Sequence, residues 1–340
     1  MLKEIEPEVE KFSENIHGKM AQKDWKAAVK GYLDLRETFL KSGLNLQASL
    51  TLVSISALRE KMGEIEEAGK TMIKAAEEFE SLKKMGYVLR AYQRALNLME
   101  TSKKTELAKE LQEKIDSLSM LELVIVTDST GSMGGALEAI KTKIAELLYQ
   151  LSEKIPGVRV GALTYRDHCD ENSSYLLSAH PFTDEHKELI SFIKQWTSKG
   201  GGDIPEAVED ALNYLDKGYD WELAKRVVII IGDAPPHTSK ECPKNLDWKE
   251  ETKKLADKEV KVYTVLCGGD PATKDIWGQI SDLTQADTFQ IGNYDDLPDL
   301  IVAITLSQVG LAEDYILDLE AKGQLAESKK ELIQKIRRRE

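Results

Sequence analysis

At 340 residues with 41% apolar content, the chain is longer than one usual domain and apolar enough for ordinary buried cores, so two domains are expected. A formal charge of -13 without a clustered basic face argues against nucleic acid as a partner. No apolar run approaches the roughly 18 to 20 residues needed to cross a bilayer, and the start, Met1 to Glu10, is acidic without a signal-like core, so a cytoplasmic protein with no membrane partner is expected.

Residues 1–118 read as all helix. From Asp24 the apolar set Trp25, Ala28, Val29, Tyr32, Leu35 and Phe39 follows the 3.6-residue period, Gly43 stops it, and a second stretch from Leu46 to Lys61 ends at Gly63. The pattern recurs about 40 positions later, with Ile65 for Trp25, Ala68 for Ala28, Met72 for Tyr32, Phe79 for Phe39 and then Ala108 for Ala68. This is an internal repeat of helix pairs, similar to tetratricopeptide-like or soluble-attachment-protein-like solenoids; a plain helical bundle would carry the same periodicity.

After Leu118 strands alternate with helices, which predicts an α/β domain over 119–310: a Rossmann-like, open, mostly parallel six-stranded sheet covered on both faces. Strands are expected at Leu121–Thr127, Val158–Tyr165, Tyr175–Ala179, Arg226–Ile231, Lys261–Cys267 and Thr288–Gln290. Helices are expected near 133–153, 184–198, 204–216, 247–258, 273–285 and 296–309. The uninterrupted Val227, Val228, Ile229, Ile230 and Ile231 mark the fourth strand as central. Residues 311–340 are expected to be a C-terminal amphipathic helical segment with Leu311, Tyr315, Ile316, Leu319, Leu325, Leu332 and Ile336, broken near Gly323, which either docks onto one of the domains or binds a partner. Its basic end, Lys335 to Arg339, reads as a solvated helix end, with an RNA or membrane contact as the alternative.

In such a sheet, ligands collect beyond the carboxyl ends of the strands. Three carboxylates fall there: Asp128 in Asp128-Ser129-Thr130-Gly131-Ser132-Met133, Asp203 after the triplet Gly200-Gly201-Gly202, and Asp233 before Ala234-Pro235-Pro236-His237. Asp128, Thr130 and Ser132 alternate through a tight loop, so every second side chain can turn to one point while Gly131 permits the bend. With Asp203 and Asp233 they make an all-oxygen metal site suited to Mg²⁺, or to Mn²⁺ or Ca²⁺, rather than zinc. Asp, Ser and Thr are also preferred helix caps. Capping explains any one of these residues, but not oxygen donors at three separate strand or helix ends.

Asp128-x-Thr130-x-Ser132 followed by Met133 resembles the metal-ion-dependent adhesion site (MIDAS) of von Willebrand factor A (VWA) domains, with Asp233 matching their second carboxylate. The resemblance implies strand order 3-2-1-4-5-6. Tyr165-Arg166-Asp167-His168, the Gly-Gly-Gly-Asp loop, Trp221 and the Asp-Ala-Pro-Pro-His run are similar to the A domains that accompany alpha-type protein kinases, although nothing in the chain resembles the kinase half. Integrin-type A domains carry a threonine where this chain offers Asp203. Three carboxylates around a dication leave about -1, so either Asp203 acts through water or the ligand is not a simple carboxylate; the water-mediated arrangement is the one expected.

Arg166, His168 and His237 are expected at the rim, where a partner would touch them; a salt bridge from Arg166 to Asp167 or a neighbouring loop is the alternative. Two loop histidines without a Cys partner do not make a zinc site, and Cys169, Cys242 and Cys267 lack paired ligand spacing, as expected in a reducing compartment. The function expected is a metal-dependent protein–protein interaction module or adaptor, in which a partner's acidic side chain completes the coordination of the cation. A Mg²⁺-dependent hydrolase or phosphotransferase at the same sheet edge is the alternative. Against it, no nucleophile stands beside an evident base, and neither an Asp-x-Asp pair nor a phosphate loop is present, so no catalytic residue is assigned.

Overall fold

The computed structural model describes residues 2–82, 84–155, 157–202, 204–268, 270–323 and 336. The chain divides into two compact units with the break after Leu118.

The first unit is a run of helices joined by short turns, α1 (Leu2–Ala21), α2 (Trp25–Lys41), α3 (Asn45–Lys61), α4 (Ile65–Ser81), α5 (Met85–Thr101) and α6 (Thr105–Ser119). From α2 onward they begin one every 20 residues, so a helix pair repeats every 40. Ala28, Ala68 and Ala108, one repeat apart, are all buried, as are Phe39 and Phe79. A small residue at each equivalent position lets successive helices approach closely while the aromatic fills the gap behind. Gly43 and Gly63 close α2 and α3 with φ of 70° and 78°. The following amides reach back to the helix ends, Leu44 N to Phe39 O and Glu64 N to Arg59 O, both 2.9 Å.

The second unit is built on β1 (Leu121–Asp128), β2 (Arg159–Tyr165), β3 (Leu177–Thr183), β4 (Lys225–Gly232), β5 (Val260–Cys267) and β6 (Thr288–Ile291), in the order β3-β2-β1-β4-β5-β6. All neighbours run parallel except β2 and β3. Alternate residues of each strand serve opposite faces. Leu123, Ile125, Ile229 and Ile231 pack under α7 (Gly134–Lys154), α8 (His186–Lys194) and α12 (Leu297–Ser307). Val124, Val126, Val228 and Ile230 pack under α9 (Val208–Lys217), α10 (Trp248–Asp257) and α11 (Pro271–Leu283). With both faces covered, β1 and β4 are apolar throughout their middles and occupy the centre.

Two boundaries differ from the sequence expectation. The third strand is displaced from 175–179 to 177–183, because an antiparallel edge strand tolerates Pro181 and does not need an apolar run. The helix expected from 204 begins at Val208, because Glu206 is held extended by its amide's bond to Pro235 O at 3.0 Å and by bridge pairing with Pro236. After Gly310, helix α13 (Ala312–Ala321) sets Ala312, Tyr315, Ile316 and Leu319 into the core below α7 and α12. Leu325, Leu332 and the basic residues Lys335, Arg337, Arg338 and Arg339 lie outside the described residues.

A Cβ at Gly63 would meet nothing within 4 Å, so a substitution there is penalised by backbone conformation alone. Gly63→Ala should destabilise the helical unit by about 1 kcal/mol in chemical denaturation. An unchanged midpoint would show that the turn relaxes out of the left-handed region.

Candidate functional site

The chain leaves β1 toward β2 on one side and reaches β4 on the other, so the strand order reverses between β1 and β4 and opens a crevice beyond their carboxyl ends. Asp128 ends β1 there, fully buried. Its Oδ1 accepts from Thr130 N at 2.7 Å and Thr130 Oγ1 at 2.8 Å, and Thr130 Oγ1 stands 3.4 Å from Ser132 Oγ. The polar side chains of Asp128, Thr130 and Ser132 thus lie next to one another at the end of β1. Asp233 follows β4, with Asp128 Cβ and Tyr165 flanking Gly232, where an added Cβ would meet them at 3.2 Å and 2.7 Å.

The glycine loop crosses this crevice. Gly131 N donates to Gly200 O, Lys199 N to Ser129 O, and Gly201 N to Asp170 Oδ2. A Cβ on Gly201 would lie 3.1 Å from Glu206 Oε1 and 3.3 Å from Thr130 Cβ, which places Glu206 beside the Asp128 loop. At Gly200 and Gly201, φ is 84° and 83°, a conformation that suits glycine.

Glu206, not singled out as a candidate from the sequence, is thereby added to the candidate site, and Asp203 lies outside the described residues. Glu206 is only 4% exposed. No local pattern marks it: what takes it inside is the bridge to Pro236 from the loop after β4. Burial, and then the charges of Asp128, Asp167, Asp233 and Asp170, push the Glu206 carboxyl up to about 9. Burial raises Asp128 to about 7 against the two Thr130 bonds, with Asp233 adding repulsion. Among the described residues neither Asp128 Oδ2 nor Glu206 Oε2, both closed to solvent, has a hydrogen-bond partner. Buried carboxylates are normally compensated, and unpaired oxygens facing one crevice are the donor set a hard dication takes.

The three residues expected at the rim are placed further in. Arg166, 3% exposed, lies over the Tyr175 ring at 4.3 Å and donates to Ser174 Oγ at 2.6 Å and Thr197 O at 2.7 Å. It braces the loops behind Ser129 rather than facing outward. His237 is 6% exposed and His168 is largely covered, their rings 4.7 Å apart. His168 Nε2 lies 2.9 Å from Glu209 Oε1 and 3.4 Å from Asp210 Oδ2, and His237 Nδ1 is 3.2 Å from Glu209 Oε1. Cys242 Sγ lies 3.7 Å from Asp210 Oδ2. One ligand atom from each of His168, Glu209, Asp210 and Cys242 falls within 4.8 Å of all the others. Asp167 borders both groups, accepting from Gly202 N at 3.3 Å and standing 3.4 Å from His237 Nε2.

The profile of the von Willebrand factor type A domain matches residues 122–302, more than half of the chain, and the chain belongs to that family. The alpha-protein kinase vwkA of Dictyostelium discoideum is 31% identical over 120 residues, covering 34% of this chain and 19% of that protein. The putative ariadne-like RING finger protein R811 of Acanthamoeba polyphaga mimivirus is 25% identical over 217 residues, 59% of this chain and 21% of that protein. The chain thus spans about a fifth of the length of these curated relatives. Among solved structures, the conserved hypothetical protein BatB from Bacteroides thetaiotaomicron is similar over 56% of this chain and 98% of its own, at 17% identity and a TM-score of 0.41.

Glu206 and Asp128 bind protons more tightly folded than unfolded. Their contribution to stability is complete below their unfolded values of about 4 and is lost as pH rises through about 7 for Asp128 and about 9 for Glu206. In chelator, the melting temperature of the A-domain transition should therefore fall as pH rises from about 5 to 9. Glu206→Gln should flatten the fall and leave the chain more stable than the parent near pH 9. A pH-independent difference between the two proteins would contradict the assigned burial of charge.

Proposed function

We propose that the A domain is a protein-interaction module that presents a Mg²⁺-type ion to a partner. Asp128, Thr130, Ser132, Glu206 and Asp233 would hold that ion. The observation that carries the reading is the pair of buried oxygens, Asp128 Oδ2 and Glu206 Oε2, without hydrogen-bond partners among the described residues. Hard carboxylate and hydroxyl donors match Mg²⁺, with Mn²⁺ or Ca²⁺ as substitutes. Ser132 is exposed while Asp128 and Thr130 are buried, so the ion's open side would face solvent and a partner there. Asp203 joins this set only through its place in the sequence, three residues before Glu206.

An acidic partner side chain is the group such an ion would take. Three ionised carboxylates around a dication leave about -1, so the partner's carboxylate would bind as Glu206 leaves the ion or keeps its proton. The helical unit would supply a second binding surface or place the first, making the whole an adaptor rather than an enzyme. Phosphate release from nucleotides or phosphoproteins, lost in Asp128→Ala, would overturn that last point.

Calorimetric titration of the full chain with Mg²⁺ and Mn²⁺ tests the site. One ion should bind, with affinity lowered roughly 100-fold or more in Asp128→Ala and less in Ser132→Ala, and with far-ultraviolet circular dichroism unchanged. Unaltered metal binding in both variants would show that the ion lies elsewhere.

A further inference from the structure

We propose a second metal centre, for zinc, closed by His168, Glu209, Asp210 and Cys242. It stands independently of the ion at Asp128, since it uses different residues and a different donor chemistry. Glu209 and Asp210 open α9, His168 follows β2, and Cys242 comes from the turn after β4.

The distances fit a tetrahedral ion. Zinc bonds of about 2.0 Å to N and O and 2.3 Å to S place neighbouring donors roughly 3.3 to 3.5 Å apart. Here His168 Nε2 stands 2.9 Å from Glu209 Oε1 and 3.4 Å from Asp210 Oδ2, and Cys242 Sγ stands 3.7 Å from that Asp210 oxygen. All four ligand atoms fall within 4.8 Å of one another. A thiolate and an imidazole beside two carboxylates select zinc over Mg²⁺ or Ca²⁺, which take oxygen alone.

The charge calls for the same occupant. Glu209 and Asp210 have side chains 0% and 2% exposed, one beside the other in sequence. Lys244 Nζ, 2.5 Å from Asp210 Oδ1, answers one oxygen and leaves Asp210 Oδ2 facing His168 and Cys242. His237 lies behind Glu209, its amide donating to Oε2 at 3.1 Å and its Nδ1 3.2 Å from Oε1, an outer support of the kind that orients a ligand carboxylate. On binding, the Cys242 thiol proton leaves to solvent and the thiolate bonds to the ion. Four protein donors fill a tetrahedral shell, so the centre is structural: it would pin the turn after β4 to the start of α9.

Cobalt substitution of the chelator-stripped full chain tests this. One Co²⁺ should give the intense visible bands of a tetrahedral ion and a near-ultraviolet thiolate-to-cobalt band, both removed by stoichiometric Zn²⁺. Cys242→Ser should abolish the thiolate band, whereas Cys169→Ser and Asp128→Ala should keep it. His168→Gln should keep a thiolate band while zinc affinity falls roughly 100-fold or more. If Cys242→Ser does not fold, the unmodified chain still decides: absence of a thiolate band there overturns the proposal, as does a band lost with Cys169 instead.

Discussion

The structure turns on carboxylates buried together where β1 and β4 part. Asp128 closes a strand that is buried along its whole length, and Glu206 is drawn in beside it by the bridge to Pro236. Removing an ion from water costs on the order of several kcal/mol after relaxation, and like charges side by side add to that. The raised proton affinities of both groups express that cost. Two Thr130 bonds offset part of it at Asp128 Oδ1 alone. A dication would neutralise the group as a whole, which makes the metal reading a consequence of packing and not only of a motif.

The surrounding loops serve the same constraint. Gly200 passes against the Asp170 carboxylate and Gly201 against Thr130 and Glu206, closer than side chains at these positions would allow, and Arg166 ties the loops after β1, β2 and α8 into one support. Asp167 lies between the oxygen-lined crevice and the cluster around His168, touching the glycine loop on one side and His237 on the other. Zinc in that cluster would therefore stiffen one wall of the crevice.

What was legible in the sequence is what local pattern encodes. The strands were readable because central parallel strands are nearly continuous apolar runs, as in Val227 to Ile231. The Asp128 loop was readable because donors at alternate positions need no tertiary information. Glu206 was not, because an acidic residue at a helix start is ordinarily a dipole partner in solvent. Only its pairing with Pro236 takes it inside. The same holds for Glu209 and Asp210, and Cys242 reaches them from a distant turn with no spacing rule to announce it. His168 and His237, expected at a rim, are covered because these carboxylates draw both rings inward.

Anomalous diffraction from crystals grown with Mn²⁺ would test the central claim most directly, because it locates the ion without mutation. The expected result is one strong peak bonded to Asp128 and Ser132 and within reach of Glu206 and Asp233. No peak in that crevice at saturating Mn²⁺, or a peak confined to the His168–Cys242 cluster, would contradict it.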